Sequence, residues 1–137
     1  MAGATGGCMC GAVRYECTAT PMFMGNCHCR DCQRASGSAY APAIGVPRSA
    51  VTITGDVKYY ESKADSGNMA KRGFCSNCGS RLFSLPPFAP DLMVIQATSL
   101  DDPSIFKPGM DIYTSSAQAW DHMNPALPKF PKMPPMG

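Results

Sequence analysis

The chain contains the stretch Phe74-Cys75-Ser76-Asn77-Cys78-Gly79, which has the form of a zinc knuckle. A glycine after the second cysteine allows backbone N–H groups to turn toward the two sulfurs. A thioredoxin-type redox pair has the same spacing, but it opens a helix, whereas residues 80–84 have the pattern of a strand. The stretch therefore favours a metal site.

A second cysteine pair, in Cys8-Met9-Cys10-Gly11, is too short to complete a metal site alone. Its complement is the pair Cys75 and Cys78, and together the four thiolates make a closed zinc site of the structural type. Such a site would join segments more than sixty residues apart, so that metal-binding energy becomes folding energy. We expect one structural Zn²⁺ here.

The third cysteine group is Cys27-His28-Cys29-Arg30-Asp31-Cys32. Its three thiolates, Cys27, Cys29 and Cys32, can surround one metal ion on three sides and leave the fourth position for water or substrate. We therefore expect a second, catalytic Zn²⁺ at these residues.

Three other residues are candidates for a role in these sites. His28 lies between two ligands, and adjacent side chains of an extended backbone point to opposite sides, so its ring is expected to face away from the metal. Cys17 shares a face with Val13 and Tyr15, which predicts burial as a small apolar residue. His122 lies in a polar loop, and we expect it to be solvated.

The sequence predicts a mainly β fold with short helical turns. Apolar and polar residues alternate in short runs separated by Gly and Pro. Gly55-Asp56 is expected to form a hairpin-type turn, and only Asp31 to Ser36, ended by Gly37, has a helical pattern. The predicted strands are one around residues 13–17 and others at 38–46, 51–54, 57–61, 68–74, 81–85, 92–97 and 110–113.

Length and charge limit the possible classes of protein. The 137 residues suffice for one domain, which we place at residues 1–123, followed by a Pro-rich arm at 124–137 that is docked or loose.

The formal charge of +2 becomes −1 when seven thiolates and two Zn²⁺ are counted, and no Lys/Arg run occurs, so a nucleic-acid partner is not expected. No signal peptide or long apolar stretch is evident, so we expect no membrane partner and a cytoplasmic location, where thiols stay reduced. The sequence indicates no oligomeric state.

The combined motifs resemble those of the glutathione-dependent formaldehyde-activating enzyme family, which includes centromere protein V. The resemblance also covers Ser99-Leu100-Asp101-Asp102-Pro103 and a late Trp120 before the Pro-rich end. It implies a β-tent fold of packed antiparallel sheets, with a structural zinc on Cys8, Cys10, Cys75 and Cys78. It also implies a second zinc on Cys27, Cys29 and Cys32, and a carbon–sulfur lyase activity that joins glutathione to formaldehyde.

Three functions remain open from the sequence. Three thiolates make a zinc-bound water less acidic than the pKa of about 7 reached with histidine ligands, so the site suits a substrate thiol that attacks an aldehyde better than it suits hydrolysis. A non-catalytic interaction module would instead have a fourth protein ligand, and a redox sensor would release its metal on oxidation. Arginine and lysine side chains that could bind substrate carboxylates flank the motifs, at Arg30, Arg34, Lys71, Arg72 and Arg81.

Overall fold

The computed structural model describes residues 3–64 and 66–134, and within these ranges the chain forms two β-sheets and one α-helix. The helix α1 spans Arg30–Ser36. Turns of 3₁₀ helix lie at Arg48–Ala50, Ala97–Ser99, Pro103–Ile105 and Thr114–Ser116. The strands are β1 Ala4–Gly7, β2 Arg14–Cys17, β3 Phe23–Cys27, β4 Ala41–Pro47, β5 Val51–Thr54, β6 Val57–Lys63, β7 Met69–Cys75, β8 Arg81–Leu85, β9 Leu92–Gln96 and β10 Asp111–Ile112.

The two sheets differ in size. A three-stranded antiparallel sheet has the order β1-β2-β5, and a seven-stranded sheet has the order β10-β3-β4-β9-β8-β7-β6. All pairs of the larger sheet are antiparallel except β10 with β3, which is parallel. The mainly β prediction is confirmed, and the one parallel pair is a departure from purely antiparallel sheets.

Several elements differ from those predicted. Strands β1 and β3 were not expected, because both contain glycine and lack a clear alternation. The turn at Gly55 is not a hairpin turn, since β5 pairs with β2 and β6 pairs with β7 in the other sheet. Val51 and Ile53 of β5 and Val57 of β6 instead pack against the core between the sheets. The predicted helix is confirmed and begins one residue earlier, and Gly37 ends it with a φ of 68°.

The hydrophobic core lies between the two sheets. Tyr15 of the small sheet packs edge-on against Phe83 of the large sheet, with ring centroids 5.2 Å apart. The large sheet also contributes Ile44 and Ile95, which are neighbours in register and fully buried. Cys17 is fully buried in the same cluster, which confirms its prediction as an apolar core residue.

We call the opposite face of the seven-stranded sheet the outer face. Side chains alternate along each strand, so residues paired in register and residues two apart on one strand share a face. This relation links the end of β3 to β7 across the sheet. The outer face accordingly carries Cys27, Ala41, Ala43, Gln96, Val94, Ser84 and Arg72.

The Pro-rich segment is docked along β10 over its described part. The Phe130 N–H donates to the carbonyl of Asp111, and the Asp111 N–H donates to the carbonyl of Pro128. Lys129 forms a parallel bridge with Asp111. The last part of the predicted arm, residues 135–137, lies outside the described residues.

None of the helices in the described ranges has the length and apolar character needed to cross a membrane.

Candidate metal centres

The first candidate centre consists of Cys8, Cys10, Cys75 and Cys78, whose sulfurs all lie within 4.8 Å of one another. Cys8 and Cys10 lie in the loop between β1 and β2, while Cys75 ends β7 and Cys78 lies in the turn before β8. That turn closes with a hydrogen bond from the Gly79 N–H to the Cys75 carbonyl, and Gly79 has a φ of 77°. A side chain would strain this backbone, so the glycine of the knuckle is required by its conformation.

Protein donors surround these four sulfurs. The Val13 N–H lies 3.2 Å from Cys8 Sγ, and Asn77 Nδ2 lies 3.3 Å from Cys10 Sγ. Hydrogen bonds from Ser80 lower the pKa of Cys78 to about 5. Donors to sulfur favour the thiolate form that a metal needs, and four converging sulfurs are the usual ligand set of structural zinc. The residues of this centre therefore fit a zinc ion.

The second candidate centre consists of Cys27, Cys29 and Cys32, again with sulfurs within 4.8 Å of one another. Cys27 ends β3, and Cys29 is the N-cap of α1, where its sulfur accepts the Cys32 N–H at 3.1 Å. Cys32 Sγ lies 3.3 Å from Cys27 Sγ. The strand end and the first helical turn thus bring the three sulfurs together without any distant part of the chain.

The three thiols share their protons unequally. Hydrogen bonds from Cys27 and Cys32 lower the pKa of Cys29 to about 3, and the hydrogen bond to Cys29 raises the pKa of Cys27. Among the three thiols the thiolate form is thus favoured at Cys29, while Cys32 also donates to Cys27. A divalent cation would replace the shared protons, so the donor set also fits a zinc ion.

No fourth His, Cys, Asp or Glu ligand atom among the described residues joins the second centre. His28 is buried, and its ring contacts two carboxylates: Nε2 lies 3.0 Å from Asp111 Oδ1, and Nδ1 lies 2.9 Å from Asp121 Oδ2. The Nδ1 contact is not aligned as a hydrogen bond. Asp111 and Asp121 were not identified from the sequence, because neither carboxylate belongs to a group of residues with metal-ligand or catalytic spacing.

The other sequence candidates have different outcomes. His122 is exposed at the edge of a cavity of about 210 Å³ beside His28, as expected for a solvated residue. Arg30 and Arg34 line a separate open cavity of about 440 Å³ with Trp120. Lys71 pairs with Glu61 at 3.4 Å on the surface. Arg72 and Arg81 lie on the sheet face that also carries Cys27, as described below.

Comparison with known proteins places the chain in a family. Residues 3–116 match the family described as glutathione-dependent formaldehyde-activating enzyme, which is more than half of the chain. The chain belongs to this family. The resemblance inferred from the cysteine motifs is thereby confirmed.

Two individual proteins illustrate the relationship. A Halomonas elongata protein, provisionally named a glutathione-dependent formaldehyde-activating enzyme, is 30% identical over 101 residues, which cover 70% of this chain and 64% of that relative. The chain thus spans less than two thirds of that relative's length. A crystal structure of a Rhodobacter sphaeroides protein superposes with a TM-score of 0.60 at 19% identity, covering 92% of this chain and 98% of the other. That similarity shows a shared fold.

Proposed function

We propose that this member of the formaldehyde-activating family joins a small thiol to an aldehyde, as when glutathione and formaldehyde give S-(hydroxymethyl)glutathione. The reverse cleavage makes it a carbon–sulfur lyase. In this proposal one structural zinc ion is held by Cys8, Cys10, Cys75 and Cys78, and one catalytic zinc ion by Cys27, Cys29 and Cys32. Family membership supports the substrates, and the two sulfur clusters support the metals.

The observation that carries the proposal is the incomplete ligand set of the second centre. Four sulfurs converge at the first centre but only three ligand atoms at the second, within the part of the chain that the structure describes. A closed set is typical of structural sites, whereas three protein ligands with an open position are typical of catalytic sites. An interaction module with two structural metals would require a fourth protein ligand at the second centre.

The reaction balances without an oxidant or reductant. The substrate sulfur forms a bond to the aldehyde carbon, the π electron pair of the carbonyl moves to oxygen, and the proton of the thiol ends on that oxygen. A zinc ion bound at the second centre would supply the Lewis acidity that keeps the substrate sulfur deprotonated. The chain itself binds and orients the thiol at the outer face.

The position of the second centre supports access by a small molecule. Cys27, Cys29 and Cys32 are each partly exposed, so none of the three sulfurs is sealed in the core. In the first centre Cys8 and Cys75 are buried, while Cys78 is partly exposed and Cys10 is exposed. Both centres require reduced thiols, and we therefore propose a cytoplasmic location.

Exchange NMR with ¹³C-labelled formaldehyde and glutathione tests the function. The zinc-loaded protein should accelerate exchange between free formaldehyde and the S-hydroxymethyl adduct above the protein-free rate. Cys29→Ser should abolish the acceleration and lower the zinc content from two toward one per chain. Serine is itself a good N-cap, so α1 and the fold should survive the substitution.

Two outcomes would contradict the proposal. Protein with two zinc ions that leaves the exchange at the protein-free rate would exclude this activity. Global unfolding of Cys29→Ser, seen by circular dichroism, would instead indicate that the second centre is the structural one. Cys17→Ala serves as the control, because Cys17 is a buried thiol outside both centres.

A further inference from the structure

Two arginine side chains lie on the outer face, which also carries Cys27, and their charges act on the second centre. Arg72 shares this face with Cys27 through the register that links β7, β8, β9, β4 and β3. Arg81 extends to the same face, because its Nη2 donates to Ser84 Oγ at 3.3 Å. Both side chains are half-buried, so they are restrained and still accessible.

The hydrogen-bonding capacity of these two guanidinium groups is not filled by the described residues. Arg72 donates from Nη1 to Ser62 Oγ at 3.0 Å, and the buried Nε atoms of Arg72 and Arg81 have no acceptor. A guanidinium group carries five N–H donors, and buried donors without partners are costly. Neither arginine forms an ion pair with a carboxylate in residues 3–64 or 66–134.

The charges of the two arginines act on the cysteine cluster and on each other. Burial, followed by the charge of Arg72, lowers the pKa of Arg81 to about 10, while the charge of Cys32 acts in the opposite direction. The Arg72 charge also contributes, after the neighbouring thiols and the N-cap hydrogen bond, to the lowered pKa of Cys29. Three thiolates and a divalent cation carry one net negative charge, which two guanidinium groups reverse to one net positive charge. The site can therefore accept a further anion.

The other cationic side chains near the cysteine motifs do not combine a position on the outer face with unfilled hydrogen-bonding capacity. Arg30 and Arg34 lie four residues apart on one side of α1, and Cys32 points to the opposite side of the helix. Arg30 also donates to Gln33 Oε1. Lys71 neighbours Arg72 in sequence, so the alternation of β7 turns it to the other face, where it pairs with Glu61.

We propose that Arg72 and Arg81 form a carboxylate-binding subsite for the thiol substrate, which makes the second centre selective for acidic thiols over neutral ones. This inference rests on the proposed function. Planar guanidinium groups match a carboxylate in bidentate geometry, and a subsite at a fixed separation from the three sulfurs would orient the substrate sulfur. Arg72 and Arg81 are thus specificity-determining residues.

Calorimetric titration tests the inference with two probes that share one thiol. The first probe is glutathione, and the second is glutathione amidated at both carboxyl groups. Zinc-loaded wild-type protein should bind glutathione on the order of tenfold to hundredfold more tightly than the diamide, as expected for charge-assisted hydrogen bonds. Arg72→Gln should weaken glutathione binding by a similar factor and leave diamide binding unchanged. Arg72→Lys should restore only part of the difference, because an ammonium group lacks the planar fork.

Controls separate the subsite from other effects. Lys71→Gln removes a neighbouring positive charge from the other face and should change neither affinity. Arg81 also donates to the carbonyls of Gly73 and Phe83, so its replacement acts on the backbone as well as on the subsite. The affinities of Arg81→Lys for the two probes are therefore measured at a temperature where its circular dichroism matches that of the wild type.

The outcomes distinguish this inference from the function on which it rests. Equal wild-type affinity for both probes, or an equal loss for both in Arg72→Gln, would overturn the subsite and leave the thiol–aldehyde function standing. Failure of wild-type protein to bind either probe at millimolar concentration would overturn both.

Discussion

The sulfurs of Cys10 and Cys75 lie 3.8 Å apart although 65 residues separate the two cysteines in the chain. Cys10 belongs to the loop between β1 and β2, and Cys75 ends β7 in the other sheet. A metal bound by the first centre would therefore link the two sheets. Its role in folding follows from that connection.

Cys75→Ser is expected to unfold most of the protein. Structural zinc contributes on the order of 10–16 kcal/mol in small zinc-binding peptides, which is comparable with the whole stability of a typical domain. Circular dichroism and zinc analysis of the purified variant measure the effect. The control is Cys17→Ala, which removes a buried thiol outside both centres and should keep two zinc ions. A folded Cys75→Ser protein with the wild-type melting temperature would refute the structural role.

Gly55→Ala should be more destabilising than Gly67→Ala. Both glycines have positive φ, at 94° and 87°, which costs about 1–2 kcal/mol for alanine. At Gly55 a Cβ would also lie 2.0 Å from the Ala12 carbonyl oxygen, whereas nothing lies within 4 Å at Gly67. Urea unfolding should give a loss of about 3 kcal/mol or more for Gly55→Ala, because backbone shifts add to the conformational cost. Equal losses for both variants would contradict the close approach between the turn and Ala12.

Lys129→Met should loosen the docked C-terminal segment. Lys129 Nζ lies 3.1 Å from Asp111 Oδ2 and also donates to the carbonyls of Asn124 and Leu127. Asp111 is buried, and in the variant its carboxylate loses the Lys129 ammonium and keeps the contacts with His28 and Asn26. We expect a loss of about 1–3 kcal/mol, less than for a fully buried pair because Lys129 is partly exposed. Limited proteolysis should cut after residue 123 first, and Lys107→Met, at an exposed lysine, should leave that pattern unchanged.

Asp101→Asn should remove a contribution to stability that depends on pH. Hydrogen bonds from Arg14 and then Thr5 lower the pKa of Asp101 to about 2 from an ordinary value of 3.8. A carboxyl whose pKa is lower in the folded state stabilises the fold above its unfolded pKa, and this stabilisation is lost as the pH falls through the folded pKa. The difference in melting temperature between wild type and variant should thus be present above about pH 4 and shrink between pH 4 and 2. If the difference in melting temperature did not change with pH, the ion pair of Asp101 with Arg14 would be excluded as its source. Asp56→Asn, in the exposed turn at Gly55, is the matched control.

Local patterns predicted much of the fold. The alternation in β2 and the glycine after α1 gave the correct element in each case, because side-chain direction and left-handed caps depend on a few neighbouring residues. The strand β3 was missed because Gly25 and the polar Asn26 obscure its alternation. The hairpin predicted between β5 and β6 was also wrong, because each strand pairs with a segment that lies elsewhere in the chain.

The sequence by itself determined three local groups of cysteines, since ligands one or two residues apart are held together by local backbone geometry. The strand arrangement then brings two of these groups together in the first centre. It also determined the family, through motifs spread along most of the chain. Only the tertiary structure decided that His28 lies between Asp111 and Asp121 and that Arg72 and Arg81 share the outer face with Cys27. Those relations depend on strand order and register across five strands, and no spacing within one segment encodes them.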